Sequence, residues 1–130
     1  APAEHRITRA MTGAGLLSLS LAGRHNTDQA RRAGDWLLRH PFLPFGHVGF
    51  VGDAYLYGAF YCTQAMYQLG GDHWRRFYPV LLTALIEHQQ PDGGWPADAG
   101  RGDLFGRPYA TALAVLTLNT PTQLLPIFQR

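Results

Sequence analysis

The sequence contains no lysine, two serines and one cysteine, Cys62. One cysteine forms no intrachain disulfide and fits either redox compartment. Without lysine or a GxxxxGK(S/T) segment, the chain lacks the usual phosphate-binding loop. The serines, Ser18 and Ser20, lie inside a predicted helix without the GxSxG turn of serine hydrolases. These absences argue against several common enzyme classes.

Charge is also scarce, since charged residues make up 15% of the 130 residues and hydrophobic residues 46%. This balance indicates one folded domain rather than a disordered chain. All eleven basic residues are arginines, and they are scattered along the sequence, so there is no basic stripe for a nucleic acid. The longest strongly apolar stretch, 10–22, is broken by polar and glycine residues and is shorter than the ~18 residues of a membrane span. We therefore expect no nucleic-acid partner and no transmembrane segment.

Apolar residues recur at helical spacing, and clusters of glycine and proline separate the segments. The pattern predicts an all-α chain of five helices. The first spans about 7–21, the second runs from a cap within 26–28 to Pro41, the third follows Asp53 and ends near 69, and the last two span about 79–89 and 108–118. Asp53 and Asp72 are the expected N-caps before the third and fourth helices. Pro79 is expected to separate a first turn near Trp74 from the main fourth helix.

Three segments resemble one another: TGAGLLSL from Thr12, TQAMYQLG from Thr63 and TALAVLTL from Thr111. Their offsets are 51 and 48 residues, a period typical of stacked helical hairpins. We predict one repeat domain over 1–130, with units near 4–52, 53–107 and 108–130. Because about three such units are needed for stability, an array of about two and a half should have unfinished ends.

Gln89, Gly93 and Trp95 fit the pattern QxxxGxW and follow a predicted helix of the repeat. Together with Tyr61, the segment QAMYQ, a Gly-Gly pair and Trp74, they resemble the squalene cyclase and prenyltransferase repeat. The resemblance covers roughly 8–130, and the end of the chain looks like the C-terminal part of bacterial squalene-cyclase-like proteins. It implies part of an α/α toroid, the fold of terpenoid cyclases. It also implies that Gln89, Gly93 and Trp95 are structural, tying the end of one helix to the next turn.

The toroid of these relatives has about six hairpins, and this chain has fewer than half of them. It is then a fragment of a longer protein, one of several chains that complete a ring, or an open arc with covered ends. The first residue is not Met, and together with the family-like end this favours a fragment.

The catalytic residues of those relatives are missing from this chain. Class II cyclases use the central aspartate of DxDD as their acid, but no two aspartates here are closer than five positions. Prenyltransferases bind zinc through a cysteine and an aspartate that lies two residues before it. In this chain the residue two positions before Cys62 is Phe60. We expect Cys62 to be a small buried residue. We predict no catalytic residue, metal or cofactor within the chain, and whether it belongs to an enzyme stays open.

Aromatic and acidic residues where helices meet long loops form a candidate ligand cavity. They are Tyr55, Tyr57, Tyr61, Trp95, Asp98, Asp103 and Tyr109. In the resembling cyclases such a cavity stabilises carbocations through cation–π contacts. The alternative is that these side chains are core and solvated loop residues.

The loop 41–52, PFLPFGHVGFVG, carries five large apolar residues: Phe42, Leu43, Phe45, Val48 and Phe50. Either it packs into the hollow of the arc, or it docks on a missing part of the protein, a partner or a membrane surface.

Two functions stay open on this basis. The first is a non-catalytic repeat module that binds a protein partner or a hydrophobic, isoprenoid-like ligand through its aromatic face. The second is a C-terminal piece of a terpene cyclase-like or prenyltransferase-like enzyme whose catalytic acid lies in the remainder of a longer chain. A chain with an open apolar end should also self-associate or bind a hydrophobic dye.

Overall fold

The computed structural model describes residues 7–47, 54–97 and 102–123. Within these ranges the chain forms five α-helices and no strand, which confirms the all-α prediction. The helices are α1 (Arg9–Leu21), α2 (Asp28–Arg39), α3 (Tyr55–Leu69), α4 (Gly71–Glu87) and α5 (Gly102–Leu118), and a 3₁₀ turn (Thr120–Thr122) follows. None of the helices in this part of the chain is long and apolar enough to cross a bilayer.

Local sequence signals place the ends of α1 and α2. The hydroxyl of Thr8 accepts a hydrogen bond from the backbone N–H of Met11 at 3.0 Å and caps α1. Thr27 caps α2 in the same way, accepting from Ala30 at 3.3 Å. Gly23, with φ +74°, follows the last turn of α1. These boundaries agree with the predicted ones to within two residues.

Neither predicted aspartate cap is the N-cap of its helix. The N-cap of α3 is Ala54, and Asp53 lies outside the described residues. A single residue, Gly70, separates α3 from α4, and it serves as the C-cap of α3 and the N-cap of α4 with φ +70° and ψ −157°. Only glycine adopts that backbone conformation readily, which allows so short a connection. Asp72 therefore falls within the first turn of α4, where its carboxylate pairs with Arg75.

The predicted break at Pro79 is wrong, because α4 is one helix from Gly71 to Glu87. A proline inside a helix costs about 3 kcal/mol, largely through the hydrogen bond that it cannot donate. Pro79 lies on the exposed side, where water can bind the freed carbonyl group. On the opposite side Phe77, Leu81 and Leu85 are buried, and their packing keeps the helix continuous.

A kink at Gly106, which has φ +71°, divides α5 into a short first turn and a main helix. Pro108 lies in the first turn of the main helix, close to the predicted start. The turn before Gly106 is helical, whereas the sequence pattern predicted a loop there.

The helices form two layers. In one layer α1 packs on α3 over the most extensive interface of the described chain, and α3 contacts α5. In the other layer α2 contacts α4, with Nε2 of His73 2.7 Å from the Asp35 carboxylate. The similar segments at Thr12, Thr63 and Thr111 lie in α1, α3 and α5, so each copy of the repeat occupies the first layer. This order fits stacked helical hairpins.

The contact between α1 and α3 is unusually close at Gly13. A Cβ atom placed on Gly13 would lie 2.8 Å from the backbone nitrogen of Cys62. The Cys62 thiol is buried and donates to the carbonyl oxygen of Arg9 at 3.1 Å. Cys62 is therefore a buried packing residue, as predicted.

The first part of the apolar loop packs into the core. Phe42 is buried and meets the rings of Tyr55 and Phe77 edge-on, with centroids 5.3 and 6.0 Å away. Phe45 stacks on His88. Of the other apolar loop residues, Leu43 is exposed, whereas Val48 and Phe50 lie outside the described residues.

A buried arginine holds this part of the loop in place. The guanidinium of Arg9 donates to the carbonyl oxygens of Pro41 and His47, at 3.0 and 2.6 Å. It also lies 4.1 Å from the centre of the Phe42 ring, a cation–π distance. Arg9 thus connects α1 to the loop between α2 and α3.

Candidate aromatic site on α3 and α5

Two pairs of partly exposed aromatic side chains lie on the neighbouring helices α3 and α5, and we name the four residues together the aromatic site: Tyr57, Tyr61, Phe105 and Tyr109. Tyr57 and Tyr61 are four positions apart, a spacing that puts both rings on one side of α3. In α5 the kink at Gly106 lies between Phe105 and Tyr109, and their rings meet across it. The ring centroids are 4.9 Å apart in the pair on α3 and 4.9 Å apart in the pair on α5. The two pairs are also 48 residues apart in sequence, so they occupy equivalent positions of the repeat.

Hydrogen bonding makes the Tyr61 phenol a weaker acid than usual. Its bond with the Tyr57 hydroxyl raises the pKa of Tyr61 above the ordinary 10.0, and burial raises it further. Negative charge on Tyr57 or on Tyr109 raises the pKa of Tyr61 in the same direction. The Tyr61 hydroxyl therefore stays protonated at neutral pH and serves as a neutral hydrogen-bonding group.

The aromatic site presents apolar ring surface to solvent. The Tyr57 side chain is 41% exposed and that of Phe105 is 55% exposed, while Tyr61 and Tyr109 are half-buried. Phe60 adds a further ring, edge-on to Tyr61 with centroids 5.2 Å apart. Exposed aromatic rings on neighbouring helices are typical of a surface that binds an apolar or cationic group.

Two of the residues predicted to line a cavity belong to the core. Tyr55 is fully buried, and its hydroxyl donates to the carbonyl oxygen of Phe42 at 2.7 Å. Trp95 is 2% exposed, and its indole N–H donates to the carbonyl oxygen of Leu85 at 2.8 Å. Asp98 lies outside the described residues, as does the side chain of Asp103. Of the predicted set, Tyr57 and Tyr61 are in contact on α3, and Tyr109 lies on the neighbouring α5; all three are at least partly exposed.

The turn that carries Gln89, Gly93 and Trp95 joins α4 to α5. The Gln89 amide donates to the carbonyl oxygen of Gly93 at 2.8 Å, and Gly93 has φ +87°. The Trp95 indole reaches back to α4 through Leu85, while the Trp95 backbone N–H donates to Thr111 Oγ1 in α5 at 3.0 Å. Trp95 thus bonds to both helices, and Gln89 stabilises the turn between them.

An ion pair on the same turn reinforces this connection. The Arg107 guanidinium donates to both carboxylate oxygens of Asp92, at 2.8 and 2.9 Å. Asp92 also accepts from the backbone N–H of Gly94. The bond from Arg107, and after it the bond from Gly94, lowers the pKa of Asp92.

Phe105 is the member of the aromatic site that the sequence reasoning missed. The segment around it was predicted to be a loop, so it received no position on a helix. The repeat contained the signal, because Phe105 lies 48 residues after Tyr57 and four before Tyr109.

A concave surface lies between α2 and α4, away from the aromatic site. This cleft has a volume of about 50 Å³ and is lined by residues such as Leu38, Arg76 and Val80. Pockets for small molecules are typically about 300–1,000 Å³, so the cleft is too small to hold one. No three His, Cys, Asp or Glu side chains meet at a metal-binding distance within the described ranges.

No family model, curated protein or solved structure matches this chain. The resemblance to the squalene cyclase and prenyltransferase repeat thus depends on the residues quoted for it above.

Proposed function

We propose that this chain is a non-catalytic helical module that binds a hydrophobic, isoprenoid-like ligand at the aromatic site. The observation that carries the proposal is the presence of two ring pairs on adjacent helices, with Tyr57 and Phe105 substantially exposed. Removing a large apolar side chain from water is worth about 1.5–3 kcal/mol, which a ligand on these rings would gain in part.

The polar atoms of the site indicate the kind of ligand. The hydroxyl groups of Tyr57 and Tyr61 form a hydrogen-bonded pair beside the ring faces. An unsaturated hydrocarbon chain that ends in an alcohol would place its chain on the rings and its hydroxyl on this pair. Because the raised pKa of Tyr61 keeps its phenol neutral at physiological pH, the site presents an uncharged hydroxyl group to a ligand.

Membership of the squalene cyclase and prenyltransferase family remains part of this proposal. The order of the helices in two layers supports it, as does Trp95, whose hydrogen bonds join α4 and α5. The resemblance supplies the isoprenoid class of the ligand, whereas the aromatic site supplies its location.

The proposal can be tested by titrating the chain with geraniol, an uncharged isoprenoid alcohol, in NMR experiments that observe the aromatic rings. We expect saturable shifts at the aromatic site. Tyr57→Ser and Phe105→Ser should each weaken binding about 5- to 10-fold, the loss of about 1–1.4 kcal/mol of ring contact. Ile86→Ser is the matched control, since Ile86 is 58% exposed on α4. Shifts that do not saturate, or equal weakening in the control, would contradict the proposal.

A further inference from the structure

The repeat shows that α1 exposes a face which α3 and α5 bury. Met11, Cys62 and Ala110 are equivalent positions in the three helices. The Cys62 and Ala110 side chains are 0% and 1% exposed, whereas Met11 is 70% exposed. In α3 this position faces the preceding helix, because Cys62 lies against α1. The next turn repeats the pattern: Gly15 is exposed, while its equivalents in α3 and α5 are buried.

This surface of α1, which we name the preceding face, is largely apolar. Ile7, Met11, Ala14, Ser18 and Leu21 follow one another at alternating spacings of four and three residues. Such spacing forms a single stripe along a helix, as in the contact line of helix pairs. Ile7 is 62% exposed and Leu21 is 52% exposed, while Ala14 in the middle is half-buried, so most of the stripe is uncovered in the described chain.

α5 has the complementary open surface. It exposes the side that, in α1 and α3, packs against the next helix of the repeat. Gly13 and Gln64 are buried, because Gly13 lies against α3 and Gln64 donates to Thr120 at 3.1 Å just after α5. Their equivalent in α5, Ala112, is exposed. Val115, one turn further on, is 42% exposed. We name this surface of α5 the following face.

We propose that the preceding face of one copy of this chain packs against the following face of a second copy, head to tail. The contact would continue the interfaces that already exist within the chain, α1 with α3 and α3 with α5. A second copy is the occupant that follows from the repeat. Each face that is open among the described residues is equivalent to one side of an interface that the chain already forms. Small residues at Gly15 and Ala112 allow helices to approach closely there, as Gly13 does against Cys62.

The two faces differ, so the contact is heterologous and one pair of copies leaves two faces open. Assembly therefore continues until a ring closes or a filament grows. The inference is independent of the ligand proposed above, because Met11 and Val115 lie outside the aromatic site.

The test measures the mass of the 130-residue chain by light scattering after size exclusion, from about 1 μM to about 1 mM, which covers contacts of moderate affinity. We expect masses that rise above 14.4 kDa toward multiples of it. Met11→Arg and Val115→Arg should each give a monomer, because every contact needs one intact face of each kind. Both sites are exposed, so circular dichroism should show folded helices. Ile86→Arg on α4 is the control and should assemble like the unaltered chain.

Mixing the two arginine variants gives the decisive result. The Met11→Arg copy keeps its following face and the Val115→Arg copy keeps its preceding face, so an equal mixture should form a dimer that stops at two copies. An unaltered chain that stays at 14.4 kDa throughout would overturn the proposal and point to another hairpin of a longer polypeptide as the occupant. Assembly of either variant alone, or no dimer in the mixture, would overturn it as well.

Discussion

Gly13 and Gly15 of α1 should respond to alanine with opposite signs, although one residue separates them. Both are inside the helix, where alanine is favoured over glycine by about 1 kcal/mol. A Cβ atom on Gly15 would meet nothing within 4 Å. A Cβ atom on Gly13 would lie 2.8 Å from the backbone nitrogen and 3.0 Å from the Cα atom of Cys62. Alanine at Gly13 therefore forces α1 and α3 apart.

The size of the effect follows from what Gly13 touches. Overpacking a core typically costs about 1–3 kcal/mol, and the upper half of this range applies because backbone atoms cannot rotate away. Allowing for the gain in helix propensity, Gly13→Ala should lower the free energy of unfolding by about 1–2 kcal/mol. Gly15→Ala should raise it by about 0.5–1 kcal/mol.

Urea unfolding followed by circular dichroism measures both values, with the protein dilute enough to remain monomeric. Cys62→Ala provides a further control, because it removes the thiol but leaves the backbone contacts of Gly13. Gly13→Ala should therefore still destabilise a chain that carries Cys62→Ala. Equal stabilisation by alanine at Gly13 and Gly15 would refute the close contact between α1 and α3.

Trp95→Ala should lower the free energy of unfolding by about 3–5 kcal/mol, as for other buried aromatic truncations. Trp95→Phe should lower the free energy of unfolding by only about 1–2 kcal/mol, because the Leu85 carbonyl still accepts from the N–H of His88. Urea unfolding measures both variants, and similar losses in the two would contradict this expectation. Folding lowers the pKa of Asp92 from its ordinary value of 3.8. The ion pair of Asp92 with Arg107 therefore stabilises the fold fully above pH 3.8, and this stabilisation is lost as the pH falls through the lower pKa of Asp92 in the folded chain. The stability difference between the unaltered chain and Asp92→Asn should be constant near neutral pH and shrink below about pH 4, and a difference independent of pH would show that the pair adds nothing.

The members of the aromatic site differ in how far the sequence could locate them. Tyr57, Tyr61 and Tyr109 lie in segments with clear helical spacing, and the sequence named all three. Tyr55 has the same residue type and lies on the same helix as Tyr57, yet it is fully buried, whereas Tyr57 is exposed. Two residues along a helix point in directions about 160° apart, and only the neighbouring elements decide which direction is the core.

Local signals determined much of the secondary structure. The all-α class, the ends of α1 and α2 and the burial of Cys62 follow from residue spacing, capping hydroxyls and glycine, which act within a few positions of the chain. Only tertiary structure decided that α4 passes through Pro79, that Tyr55 and Trp95 belong to the core and that Phe105 completes the aromatic site. Each of these depends on contacts between residues far apart in sequence, whose energies exceed the local preference of a single residue.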